Sequence, residues 1–388
     1  MRIVYLSQGK LYVKAPGAEA QLIESPFAEE VVQRQEQDKT NNAWKQRGSD
    51  SNGLVPPSML WAGQGRDSET RRPAIVHVEA GLAPDEILYV LRMSRSQGLF
   101  RRHLGRNEER RILHRQEFAP VGLSACPRSG EMVVAARTAE GLAHLELLDR
   151  EEHHQGTITG GDAFDSHPFH DPQHPGVVWF QSAGAGRTPE GTLVAFGPAH
   201  LNRLDQQSGT LTTVVELPDK DCMCPQVDQA GNLYYLRRPW RAPGQVSAWG
   251  LLKDIVLFPF RFGRAVIDFL NVFSLVFSKK PLKTAGGAPG PATAKGKVWL
   301  YGMLVDVEDA ARRHRGPDGT SSLVPRTWEL VKRASDGQET VLDRGISSFA
   351  AAADGTVVCT DGFTVRKLGT TPTVLHRGAV IECLRLVP

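Results

Sequence analysis

The stretch from Val121 to Thr159, VGLSACPRSGEMVVAARTAEGLAHLELLDREEHHQGTIT, holds a series of short β-type segments separated by turn residues. VGLSACP is a small-residue strand, and RSG marks the turn that follows it. EMVVAARTAEGLAHLELLD reads as a hairpin, and a further strand leads into GTIT. Short strands at this spacing are typical of a repeated β-sheet unit. The stretch therefore predicts one copy of a repeat built from small antiparallel sheets.

Other stretches begin in the same way, with a small or polar strand, a turn that ends in Gly or Pro-Gly, and an apolar strand. They are DSHPFHDPQHPGVVWFQSAGAG, DCMCPQVDQAGNLYYLRRP and SSFAAAADGTVVCTDGFTVRKLGTTPTVLHRG, which start at Asp165, Asp221 and Ser347. The pattern resembles the repeats of TolB-like propellers, in which an Asp-x-x-Pro strand meets a Pro-Asp-Gly-like turn and an apolar strand. This resemblance extends over roughly two thirds of the chain and implies a β-propeller, while it says little about function.

The two ends of the chain complement each other. RIVYLSQGKLYVKA and AQLIES supply a hairpin and an outer strand near the N-terminus, and AVIECLRLV supplies one strand near the C-terminus. Pairing them would complete one blade and leave no exposed sheet edge. We therefore predict an all-β fold, a six-bladed β-propeller closed by its terminal strands, with five or seven blades as alternatives. The other blades are expected near 73–118, 120–159, 161–217, 219–345 and 346–378.

Composition narrows the class of protein. The chain has 388 residues, of which 40% are hydrophobic and 23% are charged, as in ordinary soluble globular proteins. A net charge of +3 is too small to indicate a nucleic-acid partner. The five cysteines show no paired CxxC motif, so we expect reduced thiols. The N-terminal segment lacks the long apolar run of a secretory signal, which favours a cytoplasmic location.

Two insertions interrupt an otherwise single propeller domain over 1–388. The first, 26–72, begins with the polar segment AEEVVQRQEQDKTNNAWKQR, which predicts a helix, and continues as a Gly-, Pro- and Ser-rich loop. The second, 239–297, predicts an amphipathic helix over 258–277, followed by the basic tether KKPLKTAGGAPGPATAKGK. Function often resides on such insertions, because surface connections tolerate added length.

The predicted helix at 258–277 has a narrow polar stripe and a wide apolar face. A transmembrane span requires roughly 20 mostly uncharged residues, whereas Arg261, Arg264 and Asp268 fall within this window. The remaining alternatives are a helix at the surface of an anionic membrane and a helix packed on the propeller, another copy or a partner. The residues expected to make these contacts are Phe262, Val266, Phe269, Phe273, Phe277, Lys279 and Lys280.

The segment from Leu91 to Arg115 is strongly basic. It contains eight arginines and the two acidic residues Glu108 and Glu109, and it predicts a hairpin with a basic exposed side. Such a surface fits phosphate, lipid headgroups or an acidic protein, although a solvated strand face would look the same. The residues predicted to bind a partner or a membrane here are Arg101, Arg102, Arg110 and Arg111.

Histidine and aspartate cluster in DAFDSHPFHDPQHP. In the repeat register Cys224 takes the position of His167, each directly before a proline. A divalent metal site of Asp165, His167, His170 and Cys224 is one interpretation. HPFHDPQHPG also resembles a segment of the oligogalacturonate-lyase propellers, and that resemblance implies histidines that hold a metal. The alternative is that His-Pro and Asp-Pro mark turns.

The sequence shows no GxSxG, P-loop, HExxH or kinase motif, and AGAG is not followed by a helix as a dinucleotide site requires. We therefore predict a non-enzymatic interaction scaffold without a cofactor. Its amphipathic helix and basic hairpin would be presented to a protein partner or to an anionic membrane surface, at the inner face of the membrane. The alternative function is a metal-assisted lyase or hydrolase.

Overall fold

The computed structural model describes residues 1–47, 73–93, 96–106, 108–116, 118–240, 296–316, 319–378 and 380–387. The predicted helix at 258–277, its lysines 279 and 280, and the loop that follows residue 47 lie outside these ranges. All five cysteines lie inside them and are free thiols, and four of these are buried. Within the described ranges, no helix combines the length and the apolar character that crossing a membrane requires.

The secondary structure is almost entirely β, as predicted. The strands are β1 (Arg2–Ser7), β2 (Lys10–Lys14), β3 (Ala20–Ile23), β4 (Ala74–Ala80), β5 (Glu86–Arg92), β6 (Ser96–His103), β7 (Glu108–Gln116), β8 (Pro120–Ala125), β9 (Met132–Arg137), β10 (Ala143–Leu148), β11 (His154–Thr157), β12 (Ala163–His170), β13 (Val177–Arg187), β14 (Leu193–Phe196), β15 (His200–Asp205), β16 (Thr210–Val215), β17 (Lys220–Val227), β18 (Leu233–Pro239), β19 (Lys297–Leu300), β20 (Met303–Asp306), β21 (Glu329–Arg333), β22 (Glu339–Arg344), β23 (Ser348–Ala351), β24 (Val357–Thr360), β25 (Thr364–Lys367), β26 (Thr373–Arg377) and β27 (Cys383–Val387). The described residues form two helices, α1 (Pro26–Arg47) and α2 (Val307–Arg313).

Most of these strands form antiparallel units of four. The units that stand as separate sheets are β4-β5-β6-β7, β17-β18-β21-β22, β23-β24-β25-β26 and β27-β1-β2-β3. The last of these joins the two ends of the chain, since Arg2 of β1 lies opposite Val387 of β27. A larger sheet contains β8-β9-β10-β11 and β12-β13-β15-β16, which meet at one parallel bridge between Ala143 and Phe164. The stretch Val121–Thr159 thus forms the four-stranded unit that its pattern predicts.

One strand at the edge of each unit contacts the equivalent strand of the next. These inner strands follow one another as β27, β4, β8, β12, β17 and β23, and β23 in turn contacts β27. Apolar side chains fill the spaces between neighbouring units. Leu88 and Val90 of β5, for example, belong to the same cluster as Met132 and Val134 of β9. The fold is that of a β-propeller, whose units bury one sheet face against the next.

Helix α1 forms where the polar segment in the first insertion predicts a helix. Ser25 caps it, since the Ala28 amide donates to the Ser25 hydroxyl over 3.2 Å and the Glu29 amide to the Ser25 carbonyl over 3.1 Å. Phe27 and Ala28 pack against the core, whereas Glu29 and Glu30 of the same turn are already exposed. The propeller therefore holds α1 mainly at its N-terminal end.

The second insertion is longer than the sequence predicts. The connection from β18 to β21 includes the hairpin β19–β20 and helix α2, whereas the predicted insertion ends at Lys297. The hairpin forms a sheet of its own, with Leu300 opposite Met303. Its turn carries Tyr301 at φ 46° and Gly302 at φ 81°, the left-handed pair that a tight hairpin turn requires. Asp306 caps α2 by accepting a hydrogen bond from the Asp309 amide.

Candidate functional site

Four of the six inner strands each lose their regular pairing at one point. The register shifts between Ile75 and His77 in β4, and between Pro120 and Gly122 in β8. In β12 the irregular residues are His167 and Pro168, and in β17 they are Cys224 and Pro225. Proline has no N–H to donate to the neighbouring strand, which explains a bulge at both places. The repeat register that equates His167 with Cys224 matches the observed backbone.

Polar side chains from several units meet beside the irregular residues of these strands. The rings of His77 and His167 lie 6.4 Å apart between centroids, and those of His167 and Tyr301 lie 5.5 Å apart. The phenol of Tyr301 is hydrogen-bonded to the thiol of Cys224. The positive charge of Arg385 on β27 is close enough to shift the pKa of all four side chains. We call His77, His167, Cys224, Tyr301 and Arg385 the central cluster.

An ion pair fixes Arg385 in the central cluster. Its Nε donates to the Glu79 carboxylate over 2.6 Å, and both side chains are only about one-seventh exposed, at 15% and 14%. Although burial alone would lower the pKa of Arg385, the carboxylate of Glu79 raises it. The pair also links β27 to β4, the inner strands of two neighbouring units. Arg385 therefore stays charged and keeps a fixed position beside the two histidines.

The other members of the central cluster are uncharged near neutral pH. Burial and the charge of Arg385 lower the pKa of His167 to about 4, and the pKa of His77 lies well below its usual value for the same reasons. Burial raises the pKa of the Cys224 thiol to about 12, and that of Tyr301 well above its usual value. Cys224 is therefore a thiol, which is a poor nucleophile compared with a thiolate.

Two imidazole nitrogens in the central cluster have no hydrogen-bond partner in the structure. They are Nε2 of His77 and Nδ1 of His167, and both are buried. A buried polar atom without a partner is uncommon, and it often indicates a bound water, ion or ligand. A neutral imidazole nitrogen can accept a hydrogen bond or bind a metal ion. Each of these two nitrogens could therefore take part in one further hydrogen bond.

The four predicted metal ligands lie in different surroundings in the structure. Asp165 is buried and lies 3.9 Å from Nδ1 of His144. His170 contacts the hydroxyl of Ser124 through its backbone amide and through Nδ1, each over 3.0 Å. Only His167 and Cys224 of the four belong to the central cluster. No three His, Cys, Asp or Glu side chains in the described residues form a group that would hold a metal ion.

The predicted basic hairpin is formed by β6 and β7, but part of its charge is neutralised. Arg102 is only 5% exposed and lies 3.4 Å from the Glu109 carboxylate. Arg101 contacts Glu152 at 2.8 Å, and its side chain is 23% exposed. Acidic neighbours thus take up part of the charge of both arginines, and their contact with a partner stays a prediction.

The other two predicted arginines of this hairpin lie at the surface. The Arg110 side chain is 63% exposed, although it also forms an ion pair with Glu152. The guanidinium of Arg111 lies 5.7 Å from the centre of the Phe27 ring, at the start of α1. The exposed basic surface is thus narrower than the count of arginines suggests, and it lies beside the first turn of α1.

Sequence reasoning missed His77, Tyr301 and Arg385 of the central cluster, and also Glu79, which pairs with Arg385. His77 and Glu79 lie in VHVEA, where polar residues alternate with valines on a strand of the least regular repeat. Tyr301 lies in KVWLYGMLVD, which alternates like a hairpin and carries Tyr-Gly at its centre. That pattern is a usable hairpin signal. The contact of Tyr301 with His167 and Cys224 depends on the long-range arrangement of the strands, so no local sequence pattern predicts it.

Comparisons with known proteins show similarity of fold. No protein-family model matches the chain, and no curated protein sequence matches it. The structure is similar to TolB from Acinetobacter baumannii, with a TM-score of 0.51 and 11% identity, over 99% of this chain and 66% of that one. This chain therefore spans just under two thirds of that TolB chain.

Two other solved structures are more weakly similar. One is a nidogen–laminin complex, with a TM-score of 0.49 and 8% identity, over 99% of this chain and 97% of that one. The other is oligogalacturonate lyase from Vibrio parahaemolyticus, with a TM-score of 0.39 and 11% identity, over 77% and 64%. Identities this low show the fold alone. In its fold, the chain is thus similar to the TolB-like β-propellers.

Proposed function

We propose that the protein is a non-enzymatic interaction scaffold, built on a six-bladed propeller that is closed by pairing β1 with β27. The succession of inner strands from β27 through β4, β8, β12, β17 and β23 back to β27 supports six blades. The register of β1 against β27 supports closure. Such a ring gives a rigid body from which an insertion can be presented.

The observation that carries this proposal is the position of Tyr301. It lies at the tip of hairpin β19–β20, and its ring contacts His167 and also Trp328, at 5.8 Å between centroids. Val298, Leu300, Val307 and Ala310 of the hairpin and α2 are buried in the same apolar cluster as Trp328. The insertion in the fifth unit is therefore fixed to the propeller where the inner strands meet.

This arrangement favours a scaffold over an enzyme with an open active site. Tyr301 lies against the polar groups that a substrate would have to reach, and the Cys224 thiol carries no negative charge near neutral pH. We infer that the insertion contacts a protein partner or an anionic membrane surface through the segment 258–277 and lysines 279 and 280. Exposed Arg110 and Arg111 form a second, smaller basic surface. The cellular location that we propose is the cytoplasm, at the inner face of the membrane.

Deleting residues 251–296 tests the proposal, since the deletion removes the segment and leaves hairpin β19–β20 in place. We expect the full chain to float with anionic liposomes, or to capture a partner in pull-down experiments, and the deletion variant to do neither. Circular dichroism and the unfolding transition of both proteins are the controls for folding. Equal flotation and an equal set of captured partners in both proteins would exclude the insertion as the contact element.

A metal-assisted lyase or hydrolase is the second candidate, favoured by the unpartnered nitrogens of His77 and His167. Metal analysis of the purified protein separates it from the scaffold. If the protein is such an enzyme, we expect it to carry stoichiometric manganese or zinc. His167→Ala should lose this metal, whereas His153→Ala should retain it, because the His153 side chain is 75% exposed. Protein that carries no metal, and no change on either substitution, would remove this candidate.

A further inference from the structure

Two buried imidazole nitrogens of the central cluster, Nε2 of His77 and Nδ1 of His167, have no hydrogen-bond partner among the described residues. His77 is only 9% exposed, and its ring lies 6.4 Å from that of His167 between centroids. The two residues come from β4 and β12, and β8 lies between these strands in the succession of inner strands. An unpaired buried polar atom is costly, so two of them on neighbouring rings indicate a shared ligand.

Both rings can act as hydrogen-bond donors. Burial and the charge of Arg385 lower the pKa of His77 and of His167, so both rings are neutral near neutral pH. Either nitrogen of a neutral imidazole can carry the proton, and the hydrogen bonds that the ring makes decide which one does. An acceptor that contacts both unpartnered nitrogens would lie about 3 Å from each, and the separation of the rings permits this.

The electrostatic surroundings of the two rings determine the charge that a ligand there could carry. Arg385 is the only fully charged group among the described residues that shifts the pKa of either histidine, and its effect is to lower both. The Glu79 carboxylate accepts from Nε of Arg385 over 2.6 Å, yet it does not offset this effect at the rings. The potential at the rings is therefore positive, which favours an anion and opposes a metal cation.

A second arginine, Arg238, borders the central cluster. Its guanidinium lies 4.9 Å from the centre of the Trp328 ring, which in turn contacts the ring of Tyr301. Its Nε is paired with Asp221 at 2.7 Å, whereas its Nη1 is buried and has no partner among the described residues. The charge of Arg238 also acts to lower the pKa of Cys224, against the larger effect of burial. Unpaired donors beside positive charge favour an anionic acceptor.

Tyr301 limits the size of such a ligand. Its ring lies 5.5 Å from that of His167 between centroids, and its hydroxyl is hydrogen-bonded to the Cys224 thiol. It also packs against the apolar cluster that contains Trp328. A ligand that shares the central cluster with this ring has to be an ion of one or a few atoms.

We propose that the central cluster binds a small inorganic anion of the size of chloride, which accepts hydrogen bonds from Nε2 of His77 and Nδ1 of His167. The ion would connect β4 to β12 and stabilise the folded protein, because it binds a site that the unfolded chain lacks. This inference goes beyond the scaffold function, which does not depend on it. It conflicts with the metal-dependent candidate, since a cation would need the same two nitrogens.

Thermal unfolding of the full chain in sodium chloride, and in sodium gluconate at equal ionic strength, tests the inference. We expect chloride to raise the Tm by about 2 °C at a concentration about tenfold above its dissociation constant. His77→Phe keeps a ring but removes the nitrogen, so we expect it to fold and to lose the dependence on chloride. The matched control is His170→Phe, because Nε2 of His170 is also buried without a partner, but no arginine shifts its pKa. We expect this control to keep the dependence on chloride.

Crystals of the unsubstituted protein grown in sodium bromide locate the ion, and we expect an anomalous bromine peak beside His77 and His167. Equal chloride dependence in the unsubstituted protein and in His77→Phe would overturn the inference, as would no dependence in the unsubstituted protein. A bromine peak without an effect of chloride on Tm would indicate an adventitious ion only and would overturn it as well. If His77→Phe does not fold, an absent bromine peak at the central cluster overturns it. Each of these outcomes leaves the scaffold function to be judged by the 251–296 deletion.

Discussion

His167 and Cys224 have the same left-handed backbone conformation, with φ 51° and φ 55°, and each precedes a proline. Residues other than glycine rarely adopt this backbone conformation, because it costs roughly 1–2 kcal/mol per residue. Both residues lie at bulges of neighbouring inner strands, and both contact Tyr301. Strained residues that come together in this way frequently mark a site where geometry matters more than stability.

Substitutions at Cys224 test this strain. Valine matches the size of a buried cysteine but is branched at Cβ, so we expect Cys224→Val to lower the free energy of unfolding by about 2 kcal/mol or more. Cys222 is buried two residues earlier on the same strand and has no positive φ, which makes Cys222→Val the matched control. Urea unfolding measures both. Equal effects at the two positions would show that the backbone at Cys224 is not strained.

Gly122 allows β8 and β12 to approach closely. A Cβ atom at Gly122 would lie 2.7 Å from the backbone nitrogen of His167, which is too short for any real contact. Gly122→Ala is therefore expected to lower the free energy of unfolding by about 2 kcal/mol or more, through backbone displacement. A Cβ at Gly184 would meet nothing within 4 Å, so Gly184→Ala is expected to change little. Thermal unfolding of the two variants makes the comparison.

Tyr301 is expected to protect Cys224 from alkylation. Removing the ring in Tyr301→Ala opens access to the thiol and costs about 3–5 kcal/mol in stability. Tyr301→Phe keeps the ring and loses one hydrogen bond, worth about 1 kcal/mol. We expect iodoacetamide to label Cys224 at least about tenfold faster in Tyr301→Ala than in Tyr301→Phe at equal fraction folded, as peptide mass spectrometry would measure. Similar labelling rates in both variants would show that the Tyr301 ring does not protect the Cys224 thiol.

Acid is expected to destabilise the protein through its buried histidines. Burial lowers the pKa of His170 from 6.5 to about 4. The unfolded chain therefore binds a proton before the folded one does as the pH falls. As the pH falls from the unfolded pKa of His170 to its folded pKa, the free energy of unfolding therefore decreases progressively. The loss that His170 contributes is about 3 kcal/mol. His167 acts in the same direction, whereas Asp361 and Glu382, whose carboxyl pKa values are raised by desolvation, act in the opposite one.

Urea unfolding at about pH 7 and about pH 4 measures this loss. In His170→Gln we expect the difference in unfolding free energy between the two pH values to shrink. His153→Gln, at an exposed position, is expected to leave the difference unchanged. A His170→Gln variant with the pH dependence of the unsubstituted protein would show that His170 does not carry the effect.

Glu109 connects helix α1 to the hairpin β6–β7. Its carboxylate accepts from the Ser25 hydroxyl and from the Phe27 amide, each over 3.1 Å, and pairs with buried Arg102. Removing one partner of a buried ion pair costs about 3–5 kcal/mol, which we expect for Glu109→Ala. Glu30→Ala removes an exposed pair with Arg34 and is expected to cost at most about 1 kcal/mol. Limited proteolysis would show whether α1 is released first.

Much of the fold could be predicted because it depends on local signals. The alternation in VGLSACPRSGEMVVAAR and the recurring turns set the boundaries of the strands, and the polar run after Ser25 predicts α1. The Pro after His167 and the Pro after Cys224 even indicate two equivalent bulges. These features arise within one repeat, where each residue interacts mainly with neighbours close in sequence.

The central cluster could be predicted only in part, because strands far apart in sequence build it. Arg385 meets Glu79 across nearly the whole chain, and no spacing along the sequence relates them. Arg101 pairs with Glu152 of the following unit, and this contact reduces the free positive charge that the sequence of the hairpin alone predicts. Whether a charged side chain is buried depends in part on residues of the neighbouring unit, and the sequence of a single repeat does not contain these residues.

The pairing of β1 with β27 has a consequence for how the protein is made. During translation β1 and β2 emerge long before Cys383–Val387, in which one edge of β1 finds its partner. Until the ribosome has delivered those residues, the amide and carbonyl groups on that edge of β1, the Leu6 carbonyl among them, remain open to other strands. Nascent chains of this protein are therefore expected to depend on chaperones that shield an incomplete sheet, and to aggregate when synthesis stalls late.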